Sequence, residues 1–289
     1  TETNVPHIEN ISYFGDGYNE ADMVYQFQLP PLTMHALLTG YSRKLLKWVD
    51  AIEPLTEATT FFNFLSSHDG IGLRPVENTL DQQDIQVMLD SVVRNGGKVN
   101  YKNNSDGSQS PYELNINYMD ALAFEQDTLD LHIKRFIAAQ AILYSMKGVP
   151  GVYIHSLLGS GNDIKGMLES GINRRINREK LKFNELEKTL KVDPRRKEVF
   201  EANLHMLEVR KEEASFNPYG RQEVLFLHDG VFALRRYGED EAFVTVLINL
   251  KADPLEIEIE NKGVELLSGR IIEDGQLEVQ PYEVLWVKS

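Results

Sequence analysis

Residues 59–65 read Thr-Thr-Phe-Phe-Asn-Phe-Leu, seven positions with almost no alternation between apolar and polar. A strand with one wet face alternates with period two, so this run predicts a strand covered on both faces, as in a parallel sheet flanked by helices. It halts at Ser66-Ser67-His68-Asp69-Gly70. A second buried strand is expected over residues 149–154, and a short alternating one over 23–29, ended by Pro30-Pro31. Between them, Leu37, Leu38, Leu45, Leu46 and Val49 have helical spacing across 32–49, weakened in the middle by Gly40. Asp127 is a plausible N-cap for a helix that runs to Met146 and stops at Gly148. Its apolar, all-round centre predicts deep burial. Asp193-Pro194 opens a further helix, cap and N1 proline in the right order, with Phe200, Leu204 and Leu207 on one face.

The first 215 residues thus give strand, helix, strand, long insertion, helix, strand, helix, which is an α/β pattern with a parallel sheet. Three strands cannot close a barrel of eight. Either the sheet is open, or this is the second half of a (β/α)8 barrel. The insertion, about 73–126, is long, polar and rich in Asn, Gly and Ser, with one amphipathic stretch around Ile85 to Val93. A connection of that length is usually functional. After Pro218 the pattern changes to short strands, at 224–227, 232–234, 243–248, 255–259 and 282–287, with Asp229-Gly230 as a hairpin signal. A division follows: 1–217 as the barrel part and 218–289 as an antiparallel β-sandwich domain.

Composition removes several function classes. Asp and Glu outnumber Lys and Arg by 44 to 30, a net charge of -14, which repels polyanions and excludes nucleic acid as the expected ligand. With no cysteine in the chain there is no disulfide scaffold, thiolate metal site or cysteine nucleophile. The seven histidines lack metal-ligand spacing, so neither a metal nor a cofactor is expected. No apolar run approaches the roughly 20 residues of a membrane span, and no signal peptide is visible. The expectation is a cytoplasmic protein.

In parallel α/β architectures the loops after the strands carry the site. That rule selects His68 and Asp69, the loop from His155 to Asp163, and Thr1 to His7 if a strand precedes them. A carboxylate at such a rim can stabilise positive charge on a substrate, and an adjacent histidine can donate to a hydroxyl. Taken by position alone, the pair is as well explained as a strand-ending turn, and Glu2 reads as a solvated glutamate. The run Arg174-Arg175-Ile176-Asn177-Arg178 is basic in an acidic chain. Such a run is usually a solvated face, but it can also hold a phosphate or a sugar hydroxyl.

The segment Phe64-Leu65-Ser66-Ser67-His68-Asp69-Gly70-Ile71-Gly72 resembles the seventh-strand motif of the α-amylase superfamily, glycoside hydrolase family 13. Tyr25 to Leu32, Pro111-Tyr112-Glu113-Leu114-Asn115, Gly148 to Tyr153, Ile176-Asn177-Arg178 and the closing Pro281 to Trp286 resemble the sucrose-phosphorylase-like glycoside phosphorylases, in the family's order. Thr1-Glu2-Thr3-Asn4 resembles the fifth-strand motif. The resemblance implies Glu2 as general acid/base, Asp69 as the carboxylate that holds sugar hydroxyls and stabilises the oxocarbenium-like transition state, and His68 beside it. It implies Arg178 on a glucosyl hydroxyl, and Tyr112 and Glu113 in a loop shaping the acceptor and phosphate side. The reaction implied is retaining double displacement, with phosphate as acceptor, yielding α-glucose 1-phosphate from a small α-glucoside. The family's nucleophilic Asp belongs to the fourth strand and has no counterpart here, so the chain reads as the C-terminal part of a larger enzyme, inactive alone. Glu-Thr-Asn-Val-Pro-His and the carboxylate at 113 are closest in flavour to glucosylglycerate and glucosylglycerol phosphorylases. Alternatives are a family 13 α-glucosidase or transglucosidase, and a non-catalytic carbohydrate-binding fragment. The partners expected are the glucoside and inorganic phosphate, with a homodimer open.

Overall fold

The computed structural model describes residues 1–52, 56–238, 242–260 and 262–289. After an irregular start come a short helix α1 (His7–Ile11) and strand β1 (Met23–Tyr25). Helices α2 (Leu29–Thr39) and α3 (Arg43–Ala51) lead to β2 (Thr60–Phe64). The insertion holds β3 (Ile71–Gly72), α4 (Gln82–Arg94), the hairpin β4 (Lys98–Asn103) and β5 (Gln109–Asn115), and the single turn α5 (Tyr118–Ala121). Then follow α6 (Leu129–Ser145), β6 (Val149–Gly151), α7 (Ile154–Leu157), α8 (Ile164–Ser170), α9 (Phe183–Val192) and α10 (Pro194–Glu212).

The unalternating run is the middle strand of a parallel sheet ordered β1-β2-β6, with Val24 opposite Phe61 and Asn63 opposite Pro150. Thr1 continues it on the far side of β1: its amino group donates to Met23 O at 2.8 Å and its carbonyl accepts from Tyr25 N at 3.2 Å. One residue bonded to positions two apart on its neighbour is the parallel ladder pattern. Strand and helix ends follow local chemistry, with some differences from the sequence reading. Gly40, at φ 71°, is the left-handed C-cap of α2, so the stretch 32–49 is two helices and not one weakened helix. Strand β1 is only three residues long because Pro30 and Pro31, which lack N–H groups, sit in the first turn of α2. Thr128, not Asp127, caps α6, its hydroxyl accepting from Leu131 N at 3.2 Å. Asp127 instead faces Arg135. Strand β6 stops at Gly151, and Ile154 already starts α7. Asp193 and Pro194 open α10 as expected, Asp193 accepting from Arg196 N at 3.2 Å.

From Gln222 the chain forms β7 (Gln222–Val224), β8 (Val231–Tyr237), β9 (Phe243–Asn249), β10 (Leu255–Ile259), β11 (Gly263–Glu265), β12 (Ile271–Ile272), β13 (Gly275–Val279) and β14 (Val284–Lys288). Six make an antiparallel sheet ordered β12-β11-β14-β9-β8-β7, and β10 pairs with β13. Val231, Ala233, Leu247, Leu285 and Val287 pack against Ile257, Ile259 and Val279 of the smaller pair. The other face, with Phe232, Leu234, Val246, Ile248 and Trp286, belongs to the same core as Phe136, Ala139 and Leu143 of α6. Trp286 Nε1 donates to Ser145 Oγ at 3.0 Å, and its ring meets Phe216 at 4.6 Å. The strand expected at 224–227 ends at Val224; Phe226 and Leu227 lie on the surface. The last strand begins at Val284 because Tyr282, at φ 55°, forms a turn. Among the described residues no helix is long and apolar enough to cross a membrane.

Candidate active site

The loop after β2 is held from below by residues 174–178. Arg178 Nε donates to His68 O at 2.6 Å and its Nη2 meets Asp69 Oδ1 at 2.9 Å. Asn177 Nδ2 donates to Ser67 O at 2.5 Å and Asp69 O at 3.3 Å, and accepts on Oδ1 from Asn117. Tyr153, from the loop after β6, fixes the other side of that segment by donating to Asn177 O at 2.8 Å. His68 is largely exposed, with Nε2 3.7 Å from Asp69 Oδ2. The 3-10 turn (Asn173–Asn177) and Arg178 thus meet the loop after β2 at Asp69, and the loop after β6 braces the turn.

Strand β3 follows this loop directly and pairs with β5, Gly72 opposite Glu113. That pairing brings Glu113, 44 positions from Asp69 in sequence, beneath the same loop. Gly70 allows it: a Cβ there would lie 2.6 Å from Leu114 O and 2.7 Å from Glu113 Cγ. Gly72 does the same for the N-terminal segment, since a Cβ would lie 2.7 Å from Asn4 Nδ2. Glu113 is 4% exposed and fully engaged. It accepts from Gly70 N at 3.2 Å, from Asn100 Nδ2 at 3.0 Å and from Arg174 Nε at 3.2 Å, with Arg174 Nη2 2.9 Å from Oε1. Arg174 Nη1 also reaches Asp69 Oδ1, at 3.0 Å. Arg174 is thus shared by both carboxylates, and its bond to Glu113 holds its guanidinium above the ordinary arginine range.

These groups line a cavity of about 210 Å³. Its polar wall is Glu2, Asn4, Asp69, Glu113, Arg174 and Asn177, and its apolar wall includes Phe27, Phe64 and Tyr118. Tyr112 lines it as well. Glu2 and His68 share a second, adjoining cavity of about 210 Å³ with Tyr25, Phe62 and Tyr153. Arg178 is not among the lining residues of either; it acts on the loop from outside. Sequence reasoning named Glu2, His68, Asp69, Tyr112, Glu113 and Arg178, but singled out neither Arg174 nor Asn177. Both stood inside the basic run already noted, whose spacing carries no sign of which arginine faces inward. A larger cavity, about 720 Å³, opens near Pro150, Arg210, Phe216 and Tyr237. Its one carboxylate, Glu213, is bound to Lys288 at 2.7 Å, and it has no counterpart to the convergent carboxylates above. Among the described residues no group of His, Asp or Glu is placed to hold a metal ion.

The site is a polar cavity with converging carboxylates at the ends of parallel strands. A glucosylglycerate phosphorylase from Escherichia coli (strain K12) is 39% identical over 290 residues, spanning 100% of this chain and 52% of its own length. One from Allomeiothermus silvanus is 43% identical over 291 residues, spanning 99% and 51%. The chain is a homologue of these phosphorylases. It spans about half the length of the curated relatives it matches. More distant relatives include a sucrose phosphorylase from Streptococcus mutans, 26% identical over 76% of this chain and 43% of its own length. No family model matches. The structure of a sucrose 6F-phosphate phosphorylase from Thermoanaerobacter thermosaccharolyticum superposes with a TM-score of 0.72 at 21% identity, over 96% of this chain and 51% of that one. An α-amylase from H.orenii superposes with a TM-score of 0.62 at 15% identity, over 99% and 52%. These two likenesses are of fold.

Proposed function

We propose that this chain is part of a retaining glycoside phosphorylase that cleaves a small α-glucoside (glucosylglycerate, glucosylglycerol or sucrose) with inorganic phosphate, giving α-glucose 1-phosphate. The three parallel strands, with Thr1 beside them, are on this reading the later strands of a (β/α)8 barrel spanning 1–217, and 218–289 its β-sandwich domain. The superposition of nearly the whole chain on about half of larger barrel enzymes supports it. The observation that carries the functional reading is the convergence of Glu2, Asp69 and Glu113 on one cavity in a chain homologous to phosphorylases along its full length.

In this scheme Glu2 protonates the glycosidic oxygen as the bond breaks and later takes the proton from the attacking phosphate. Asp69, oriented by Arg178 and adjoining His68, binds sugar hydroxyls and stabilises the developing oxocarbenium charge. Tyr112 and Glu113 form the acceptor side. No residue of this chain is assigned the nucleophile's part, and the curated relatives are about twice its length. The test is therefore made on the complete protein: release of glucose 1-phosphate from each of the three glucosides, with and without phosphate. Glu2→Gln and Asp69→Asn are expected to lower kcat by roughly 10²–10⁴-fold, the range of a positioned acid/base or charge-stabilising group. Turnover independent of phosphate indicates a glucosidase or transglucosidase instead. Binding without turnover indicates a carbohydrate-binding protein.

A further inference from the structure

We infer that Arg174 is the oxyanion-receiving residue of this site and that buried Glu113 is its positioning residue. The inference rests on the phosphorolytic reading above and goes beyond it by naming the group that accommodates anionic substrates. Phosphorolysis needs an anion at the acceptor side, and a glucoside with a carboxylate in its aglycone needs one there too. The chain carries a charge of -14, and among the described residues the cavity wall holds three carboxylates, Glu2, Asp69 and Glu113, and one cationic side chain, Arg174. That guanidinium is the positive charge these side chains offer an oxyanion.

The geometry shows how Arg174 can serve. Its Nε and Nη2 bind the two oxygens of Glu113 at 3.2 and 2.9 Å, the fork-to-fork pairing that fixes a guanidinium plane. Glu113 itself is locked by Gly70 N and Asn100, and Asn100 by Asn173 Nδ2 at 2.7 Å. Nη1 points the other way, to Asp69 Oδ1 at 3.0 Å. Asp69 has an independent partner on that oxygen, Arg178 Nη2 at 2.9 Å. The Nη1 bond is thus the one that can be exchanged: an incoming oxyanion takes Nη1, Glu113 keeps the plane in place, and Asp69 turns its freed lone pair to a sugar hydroxyl. Both side chains line the cavity, but Arg174 is 41% exposed at its side chain against 5% for Glu113, so the guanidinium is the more accessible of the two to an incoming ligand. The carboxylate at 113 does not repel an anionic acceptor in this arrangement. It is neutralised by the residue that binds the acceptor.

The aglycone carboxylate leaving and the phosphate arriving are both oxyanions, and the experiment separates them. In the complete protein, Arg174→Gln is compared with wild type for three constants: KM for inorganic phosphate, KM for glucosylglycerate, and KM for glucosylglycerol, whose aglycone is neutral. Loss of a charged hydrogen-bond donor predicts a rise of roughly 10- to 100-fold in the first two, with the third changing less than about threefold. A rise in phosphate KM alone assigns Nη1 to phosphate, and a rise in glucosylglycerate KM alone assigns it to the aglycone. Equal loss on all three, or no change in any, overturns the inference. Arg174→Lys keeps the charge without the fork and should recover part of the loss; Glu113→Gln should raise the same constants by a smaller factor. Thermal melts of each variant separate misfolding from lost recognition. If wild type shows no phosphate-dependent turnover of any glucoside, the phosphorolytic reading fails on its own. The inference is then judged by calorimetric binding of inorganic phosphate, and wild-type affinity no better than that of Arg174→Gln overturns it.

Discussion

Removing one charge from the buried Asp127–Arg135 pair should destabilise the fold strongly, whereas removing both should not. Arg135 donates from Nη1 to Asp127 Oδ2 at 2.5 Å and from Nη2 to Oδ1 at 2.8 Å, and the side chains are 2% and 9% exposed. The guanidinium lies between the Phe124 and Tyr282 rings, 4.4 and 4.6 Å from their centroids, and also donates to Leu122 O at 2.8 Å. Asp127→Asn leaves that guanidinium in place and uncompensated, which for a buried pair costs about 3–5 kcal/mol. With a urea slope of roughly 2–3 kcal/mol/M, the unfolding midpoint falls by more than about 1 M. Trp48 and Trp286, both buried, supply the fluorescence signal. Arg135→Met with Asp127→Asn replaces the pair by apolar volume and a neutral amide, and should recover most of the loss. Burial pushes the Asp127 carboxyl up, but Arg135 and the Phe124 N–H outweigh it and hold it below the usual range. Its folded pKa is depressed, so wild type keeps this stabilisation above about pH 4 and loses it as pH falls further. A single variant within about 0.5 kcal/mol of wild type, or a double variant as unstable as the sum, would refute the reasoning.

The remaining predictions are shorter. His7, His35 and His155 all have pKa values lowered by burial; for His35 this outweighs Asp84 at 2.8 Å, so the imidazole is neutral. A lowered folded pKa means stability present above the unfolded value, about 6.5, and lost as pH falls. The urea midpoint should therefore decline from pH 7 to pH 5; a flat or rising profile contradicts this. Gly70→Ala places a Cβ 2.6 Å from Leu114 O, so it should destabilise by about 1–3 kcal/mol and, in the complete protein, reduce turnover by displacing Glu113. Wild-type stability and kinetics in that variant contradict the close approach. Asn177→Ala removes both bonds to the 67–69 carbonyls and should lower kcat more than thermal stability. Equal effects on the two point to a merely structural asparagine.

The sequence showed most plainly what burial makes visible. Residues 59–65 announce a doubly covered strand because both faces of β2 are packed, and α6 announces itself because eleven of its residues are buried. Helix α9 went unread for the opposite reason: none of its residues is buried, so nothing ties its apolar positions to one face. Phe226 and Leu227 misled in the same way, being apolar yet exposed. Gly40 and Thr128 turned on capping geometry, where neighbouring residues compete and the spacing cannot choose between them. At the site, residues at strand ends were legible because position selects them. Arg174 was not, because its meaning lies in Glu113, 61 positions away, and in the pairing of β3 with β5 that brings the two together.

The shared core across α6 and the antiparallel sheet has a consequence for how this region can be rearranged. Arg236, fully buried, donates to Ser145 O at 2.9 Å and Asn217 O at 2.6 Å, while Trp286 holds the Ser145 hydroxyl. The C-terminal end of α6 is thus completed by side chains from β8 and β14. A chimera that exchanges residues 218–289 for the equivalent segment of a relative exchanges one wall of a packed interior, not an appendage. It will fold only if the donor brings an arginine and a tryptophan that fit Ser145. The two units are expected to protect their amides from exchange together, as one cooperative block.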